Sequence, residues 1–236
     1  LLKRLSLKEQ LACLNQADNF GRTPLTIAAY YGQTNAIIEL LKAIPQKERL
    51  TFLKKGVREG FTPLYVAAEK GHDNVIKELL KRLSLKEQLA CLNQADRNGF
   101  TPLLVAAKNG HAKAIEELFK AIPKDERLAV LKIARRGLTP LFYLAEKGHD
   151  NVIKELLKGL LPEERLAYLN QADNSGRTPL YIAAKNGHVN AIEVLLEDLT
   201  PEDRLAYLNK AKKNGLRPLS GAIKKNQQNV IQTLRV

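Results

Sequence analysis

The sequence predicts an all-α solenoid of about six stacked repeats, mostly with three helices per unit and projecting turns between units. Three observations predict it. The line GRTPL or a close variant returns at Gly21, Gly60, Gly99, Gly137, Gly176 and Gly215, at spacings of 39, 39, 38, 39 and 39 residues. The eighteen residues LLKRLSLKEQLACLNQAD at positions 1–18 recur unchanged at 79–96, an offset of 78 residues, or two units. Helix start and stop signals also fall at the same places in successive units. Self-similarity at this period marks an array in which each unit buries its apolar face only by stacking on its neighbours.

The stretch GRTPLYIAAKNGHVNAIEVLLEDLTPEDRLAYLNKAKKN, Gly176 to Asn214, shows the elements in order. Thr178 is placed to cap a helix and Pro179 suits its first position, so a short helix begins there and stops at Gly187, where a left-handed residue is easy. In a second helix Ala191, Ile192, Leu195 and Leu196 recur with helical period and point into the stack, while Asn190, Glu193 and Glu197 face water. A third, short helix is capped by Thr200, starts on Pro201, carries Asp203 in its N-terminal turn and is expected to bury Leu205 and Leu208. In the duplicated segments the same start is written Ser6 to Glu9 and Ser84 to Glu87, an S-x-x-E capping box. The units run 21–59, 60–98, 99–136, 137–175 and 176–214 within one domain, 1–236, preceded by a partial unit at 1–20 and followed by a C-terminal capping unit at 215–236. The single deletion, between Ala134 and Arg135, falls in a turn, where a length change disturbs the helices least.

The recurring letters G-x-T-P-L-x-x-A-A-x-x-G-H resemble the ankyrin repeat, whose signature is T-P-L-H-x-A with two antiparallel helices and a projecting β-turn. The resemblance covers nearly the whole chain and departs from the family in three ways. The period is 39 rather than 33, which the extra short helix explains. The His after T-P-L is replaced by Thr26, Tyr65, Leu104, Phe142, Tyr181 and Ser220, so the hydrogen bonds of that His are not carried over. In the last unit Asn226 and Gln227 stand where Gly and His are usual and polar residues increase, as a cap whose outer face meets water requires.

Composition excludes several classes. No apolar run approaches the length of a membrane helix, and no basic segment followed by an apolar stretch marks a secretory signal. Cys13 and Cys91 occupy equivalent places two units apart, beyond disulfide reach, and no N-x-S/T sequon occurs, so a reducing, cytoplasmic setting and a monomer are expected. The net charge of +13 favours acidic partners. Leu1 as first residue and the absence of Met and Trp are expected of a fragment, a processed chain or an engineered one.

Catalysis needs a group that appears once, in a cleft, with partners, whereas an array offers the same residue many times. His72, His111, His149 and His188 each follow the glycine that ends the first helix, and are read as structural side chains bonding to the neighbouring turn. Glu116 and Glu117, like Glu163 and Glu164, are adjacent on helices and do not face each other. Cys13 and Cys91 are read as small buried hydrophobes. No phosphate-loop, dinucleotide, nucleophile-elbow or C-x-x-C pattern occurs. The expectation is no enzyme, no metal and no cofactor.

Binding remains. The resemblance implies that turn tips and the exposed side of the first helices form a concave, protein-binding surface. The turns alternate in charge: 15–22, 93–100 and 170–177 are neutral, whereas Lys54, Lys55 and Arg58 against Glu59 leave +2, Lys132, Arg135 and Arg136 leave +3, and Lys210, Lys212, Lys213 and Arg217 leave +4. Two readings stay open, a row of cationic points for an acidic surface, and a solvated edge inherited by duplication. Tyr30 and Tyr31 end the first helix where other units carry Glu69 and Lys70, Lys108 and Asn109, or Lys185 and Asn186. With Phe20 they are either apolar anchors of an interface or a cover for an exposed edge. The candidate contact residues are Phe20, Arg22, Tyr30, Tyr31, Arg58, Lys70, Arg97, Lys108, Arg135, Arg136, Lys212 and Lys213. A nucleic-acid partner is disfavoured because base stacking needs aromatics interleaved with the basic groups, and the basic turns carry mainly aliphatic or polar neighbours. The leading reading is a protein-binding module with a protein partner. The alternative is an engineered scaffold without a native partner, which the identical eighteen-residue copies favour and the irregular deletion and scattered substitutions oppose.

Overall fold

Proline at the first helical position and threonine before it decide where each first helix starts. Thr23, Thr62, Thr101, Thr139 and Thr178 each accept, on the side-chain oxygen, the backbone N–H three residues on, at 3.1 to 3.3 Å. The following proline has no N–H to satisfy. In the computed structural model, which describes residues 6–56, 60–210, 215 and 217–234, this start recurs at every T-P dipeptide. Among the described residues the secondary structure is eighteen α-helices with no strand, the all-α repeat solenoid that the sequence predicts.

The chain divides into two compact units, 1–123 and 124–236. In the first, the helix Leu7–Asn15 precedes two three-helix repeats, Pro24–Tyr30, Thr34–Ala43, Gln46–Lys54 and Pro63–Lys70, Asp73–Leu80, Leu85–Leu92, then the pair Pro102–Asn109 and Ala112–Lys120. First helix packs on first helix, second on second, and Gln46–Lys54 on Leu85–Leu92. In the second unit a 3-10 turn at Lys124–Glu126 and the helix Arg127–Leu131 lead into Pro140–Lys147, Asp150–Lys158, Pro162–Leu169, then Pro179–Asn186, Val189–Leu196, Pro201–Asn209, and the pair Pro218–Lys224 and Gln228–Thr233. The same register of packing holds within it. Ala67, Ala68, Ala106, Ala107, Ala183 and Ala184 are wholly buried on the first helices, and their small size lets neighbouring backbones approach.

The third helix supplies the residues beyond a two-helix unit and is clasped to its own repeat. Tyr168 and Tyr207 are fully buried, and their hydroxyls accept the backbone N–H of Leu141 at 3.1 Å and Leu180 at 3.2 Å. Those N–H groups lie at the open start of a first helix and have no partner within it. An unmet buried donor costs about 1–3 kcal/mol, so each tyrosine stabilises by position as well as by area. Burial pushes both phenols far above the ordinary tyrosine range. The expected burial of Leu205 is corrected here: Leu205 is 62 % exposed and Tyr207 only 1 %, because the helix turns its tyrosine toward Leu180. The helices Leu7–Asn15 and Leu85–Leu92 start on the expected capping boxes, with Ser6 and Ser84 exchanging hydrogen bonds with Glu9 and Glu87.

Candidate functional site

Three of the turns are each held by one carboxylate. Asp18 Oδ1 accepts from the N–H groups of Phe20 and Arg22, both at 2.9 Å, and Oδ2 meets the Arg22 guanidinium at 2.8 and 2.7 Å. Asp173 repeats this with Ser175 and Arg177 at 2.9 and 2.8 Å, and with the Arg177 guanidinium at 2.7 and 2.6 Å. Asp96 Oδ1 holds the Asn98 and Phe100 N–H groups in the same way, and its Oδ2 accepts from the Asn98 side chain at 3.4 Å and from the Tyr65 hydroxyl at 3.3 Å. The Arg22 guanidinium, first through its side-chain hydrogen bond, holds the Asp18 carboxyl below the usual carboxylate range.

The alternation of the turns has a structural component that the sequence did not disclose. At Gly60, Gly99, Gly176 and Gly215 the residue five before the turn glycine donates to a backbone carbonyl of the preceding turn. Lys55 reaches Asn15 O at 3.1 Å, Gln94 reaches Lys54 O at 3.0 Å, Gln171 reaches Lys132 O at 3.4 Å and Lys210 reaches Asn170 O at 2.8 Å. Lys55 and Lys210 also bond the Asn side chain of that turn. Two of the cations counted in the basic turns therefore join one turn to the next, and burial holds the Lys210 ammonium below its usual range.

Within the first unit the structure brings together five of the expected contact residues. Phe20 is 69 % exposed and Tyr31 60 %, and the Arg22 guanidinium lies 4.9 Å from the Phe20 ring centre. Tyr30 meets Tyr31 edge to face at 5.1 Å, and Lys70 Nζ sits 4.7 Å from the Tyr30 ring centre. Arg97 is exposed at the next Asp-held turn, and Lys108 lies over Phe100 at 4.7 Å. In the second unit Arg135 and Leu138 pair across the shortened turn, and Arg136, at φ 55°, is exposed at its tip. The turn thus absorbs the deletion. Arg58, Lys212 and Lys213 lie outside the described residues.

Three of the histidines bond a backbone carbonyl of the preceding repeat. The Nε2–H groups of His72, His111 and His188 donate to the carbonyls of Tyr30, Glu69 and Glu146 at 3.0, 2.9 and 2.9 Å, a geometry that fixes their tautomer because a carbonyl only accepts. Asn109 and Asn186 add a second bond to the same Glu69 and Glu146 carbonyls. His149 stands at the start of the helix Asp150–Lys158, where burial first, then Lys147, holds its imidazole below the ordinary value. Cys91 is buried, and burial pushes its thiol up to about 11, whereas Cys13 is exposed, against expectation. The difference follows from packing. The helix carrying Cys91 lies on Gln46–Lys54, and no described helix precedes the one carrying Cys13.

Among the described residues no group of three or more His, Cys, Asp or Glu is placed to hold a metal ion, and no helix is long and apolar enough to cross a membrane.

Lys147, Lys185, Lys224 and Lys225, at or next to the ends of the first helices in the second unit, were not among the candidate contact residues. Their frame is that of Lys70 and Lys108, so the repeat alignment carried the signal.

A comparison with solved structures finds a crystallised ankyrin repeat domain from Acinetobacter baumannii AYE, 22 % identical, with a TM-score of 0.69 over 90 % of this chain and 96 % of that one. At that identity the likeness concerns the fold. No curated protein matches significantly. The family model described as ankyrin repeats (3 copies) matches residues 1–87, 46–128, 80–164, 124–204 and 160–235. Repeat letters, capped helix pairs, His-to-carbonyl bonds between successive repeats and a match along almost the entire length converge, and the chain belongs to the ankyrin-repeat family.

Proposed function

We propose that this chain is a non-catalytic protein–protein interaction module whose contact surface is the edge formed by the turn tips and the ends of the first helices. Ankyrin repeats generally mediate contacts between proteins. The observation that carries the reading here is the exposure of Phe20, Tyr30 and Tyr31 in one cluster with Arg22 and Lys70, although Phe100 in the same unit and Phe142 in the second unit are buried. Aromatic and arginine side chains grouped on a surface are the residue types that dominate interface energetics. Arg22 and Lys70 border the rings with positive charge, and the chain is +13 overall, so the partner's contacting face is acidic. The free thiols of Cys13 and Cys91 support a reducing, intracellular setting.

Capture on the immobilised chain tests this, with the parent beside Tyr30→Ala/Tyr31→Ala and Lys70→Glu variants, each read at low and high salt. The expected result is a distinct protein retained by the parent and reduced at least about tenfold on the double alanine variant, since hot-spot aromatics each contribute about 2 kcal/mol. Retention that is equal on all three proteins, or of nucleic acid alone that salt removes, contradicts the reading.

A further inference from the structure

The eighteen duplicated residues place the same letters in two surroundings, and the differences between them mark an uncovered face. The helix Leu85–Leu92 is packed on Gln46–Lys54, its Cys91 is 3 % exposed, and Gln94 just beyond it donates to the Lys54 carbonyl at 3.0 Å. The helix Leu7–Asn15, of the same sequence, has no described helix before it, and its Cys13 and the following Gln16 are exposed. In the next two helices Ile27, Ala36 and Leu40 are half-buried, whereas Val66, Val75 and Leu79 at the same repeat positions are buried. With Leu14 and Pro24 they line an open, mostly apolar hollow.

The second unit carries the opposite face. Gln46–Lys54 receives the next third helix, Leu85–Leu92, and Arg127–Leu131 receives Pro162–Leu169, and Leu50 and Leu128 on the receiving helices are half-buried. Leu205, at the same repeat position on Pro201–Asn209, is 62 % exposed, and no described third helix follows it. Ile223, on the last first helix, is 53 % exposed. The exceptions of the two faces match as well. Gly32, Gly71 and Gly148, just past first helices, lie so close to His72, His111 and His188 of the next repeat that a Cβ would come within 2.7 Å of the ring. The last first helix is followed instead by Asn226, also at positive φ, and the histidine position of the first repeat is Gln33, an exposed, flexible amide that can yield to a Cβ where a ring held by a carbonyl cannot. Asn229 and Gln232 of the last pair stand where Asn74 and Lys77 are exposed inside the stack, so they face water in either case.

We propose that these two faces bind each other in separate copies of the chain, so that Leu7–Asn15 of one copy lies on Pro201–Asn209 of another as Leu85–Leu92 lies on Gln46–Lys54. The contact covers Cys13 and Leu205 and brings the Gln16 amide to the Asn209 carbonyl, the counterpart of the Gln94 bond to Lys54. It joins different patches on the two copies, unlike a two-fold dimer, in which each copy uses the same patch. It replaces the monomer expected from the sequence and stands independently of the turn-tip reading.

Sedimentation equilibrium of the full chain tests this, with Cys13→Arg, Leu205→Arg and an equimolar mixture of the two variants beside the parent. Both positions are exposed, so neither change disturbs a core, and circular dichroism checks that each variant is folded. The average mass of the parent is expected to rise above that of one chain from micromolar to millimolar concentration. Each variant alone is expected to associate at least about tenfold more weakly, because the contact would bury an unpaired charge. The mixture is expected to regain association and to stop at two chains, since Cys13→Arg keeps the Leu205 face and Leu205→Arg keeps the Cys13 face. A parent that stays at one chain throughout, association weakened by only one of the two variants or by neither, or a mixture no heavier than its separate components overturns the proposal.

Discussion

Asp173→Ala is expected to lower the unfolding free energy by about 3 kcal/mol, measured by urea denaturation. The carboxylate is nearly sealed from water and accepts two backbone N–H groups and both arms of the Arg177 guanidinium. Removing it leaves three part-buried donors, the Ser175 and Arg177 N–H groups and the Arg177 guanidinium, without their acceptor, each at about 1 kcal/mol for a lost hydrogen bond. Asp18→Ala, in the more exposed copy of the same turn, is expected to lose less. For Asp18 the sign of the pH effect is set: its folded pKa is depressed, so its stabilisation is present above the unfolded value near 3.8 and is lost as pH falls through the folded one. Equal losses for Asp18→Ala and Asp173→Ala contradict the burial argument, and a loss for Asp173→Ala within about 0.5 kcal/mol, the range of an ordinary surface change, contradicts the carboxylate's role in the turn.

Gly148→Ala is expected to lose about 2–3 kcal/mol, from two causes that one control separates. Gly148 has φ 74°, in the left-handed region that costs a residue with a Cβ about 1–2 kcal/mol. The added carbon would also lie 2.6 Å from Nδ1 of His188, whose ring is held by its bond to the Glu146 carbonyl. The ring must move, and a hydrogen bond of about 1 kcal/mol is weakened. Gly99 has φ 83° and nothing near its missing Cβ, so Gly99→Ala measures the backbone strain alone. A larger loss for Gly148→Ala, reduced toward the Gly99→Ala value when His188→Ala is combined with it, is the predicted pattern. Equal losses for the two single variants contradict an energetic role for the His188 contact.

Local chemistry made most helix boundaries legible. Thr-Pro starts, glycine ends and the Ser-to-Glu capping boxes depend on residues three or four apart, and all appear where the letters place them. Contacts between repeats were less legible. Leu205 and Leu208 have helical spacing, yet the helix buries Tyr207 because a donor at Leu180, 27 residues earlier, needs an acceptor. Lys55 and Lys210 look like solvent charges in sequence and are bridges to a turn 40 residues earlier. Cys13 and Cys91 share identical neighbours and differ in exposure, since packing against another helix, rather than local sequence, buries Cys91.

The aromatic cluster was legible because Phe20, Tyr30 and Tyr31 break the repeat pattern, and departures from a repeat are visible in the letters.

Hydrogen–deuterium exchange of the full chain with and without its captured protein tests the central claim most directly. The account predicts slowed exchange confined to the turns and to the ends of the first helices, at 18–22, 30–32 and 69–71 in the first unit. Slowed exchange on the second and third helices instead, with those turns unchanged, contradicts it.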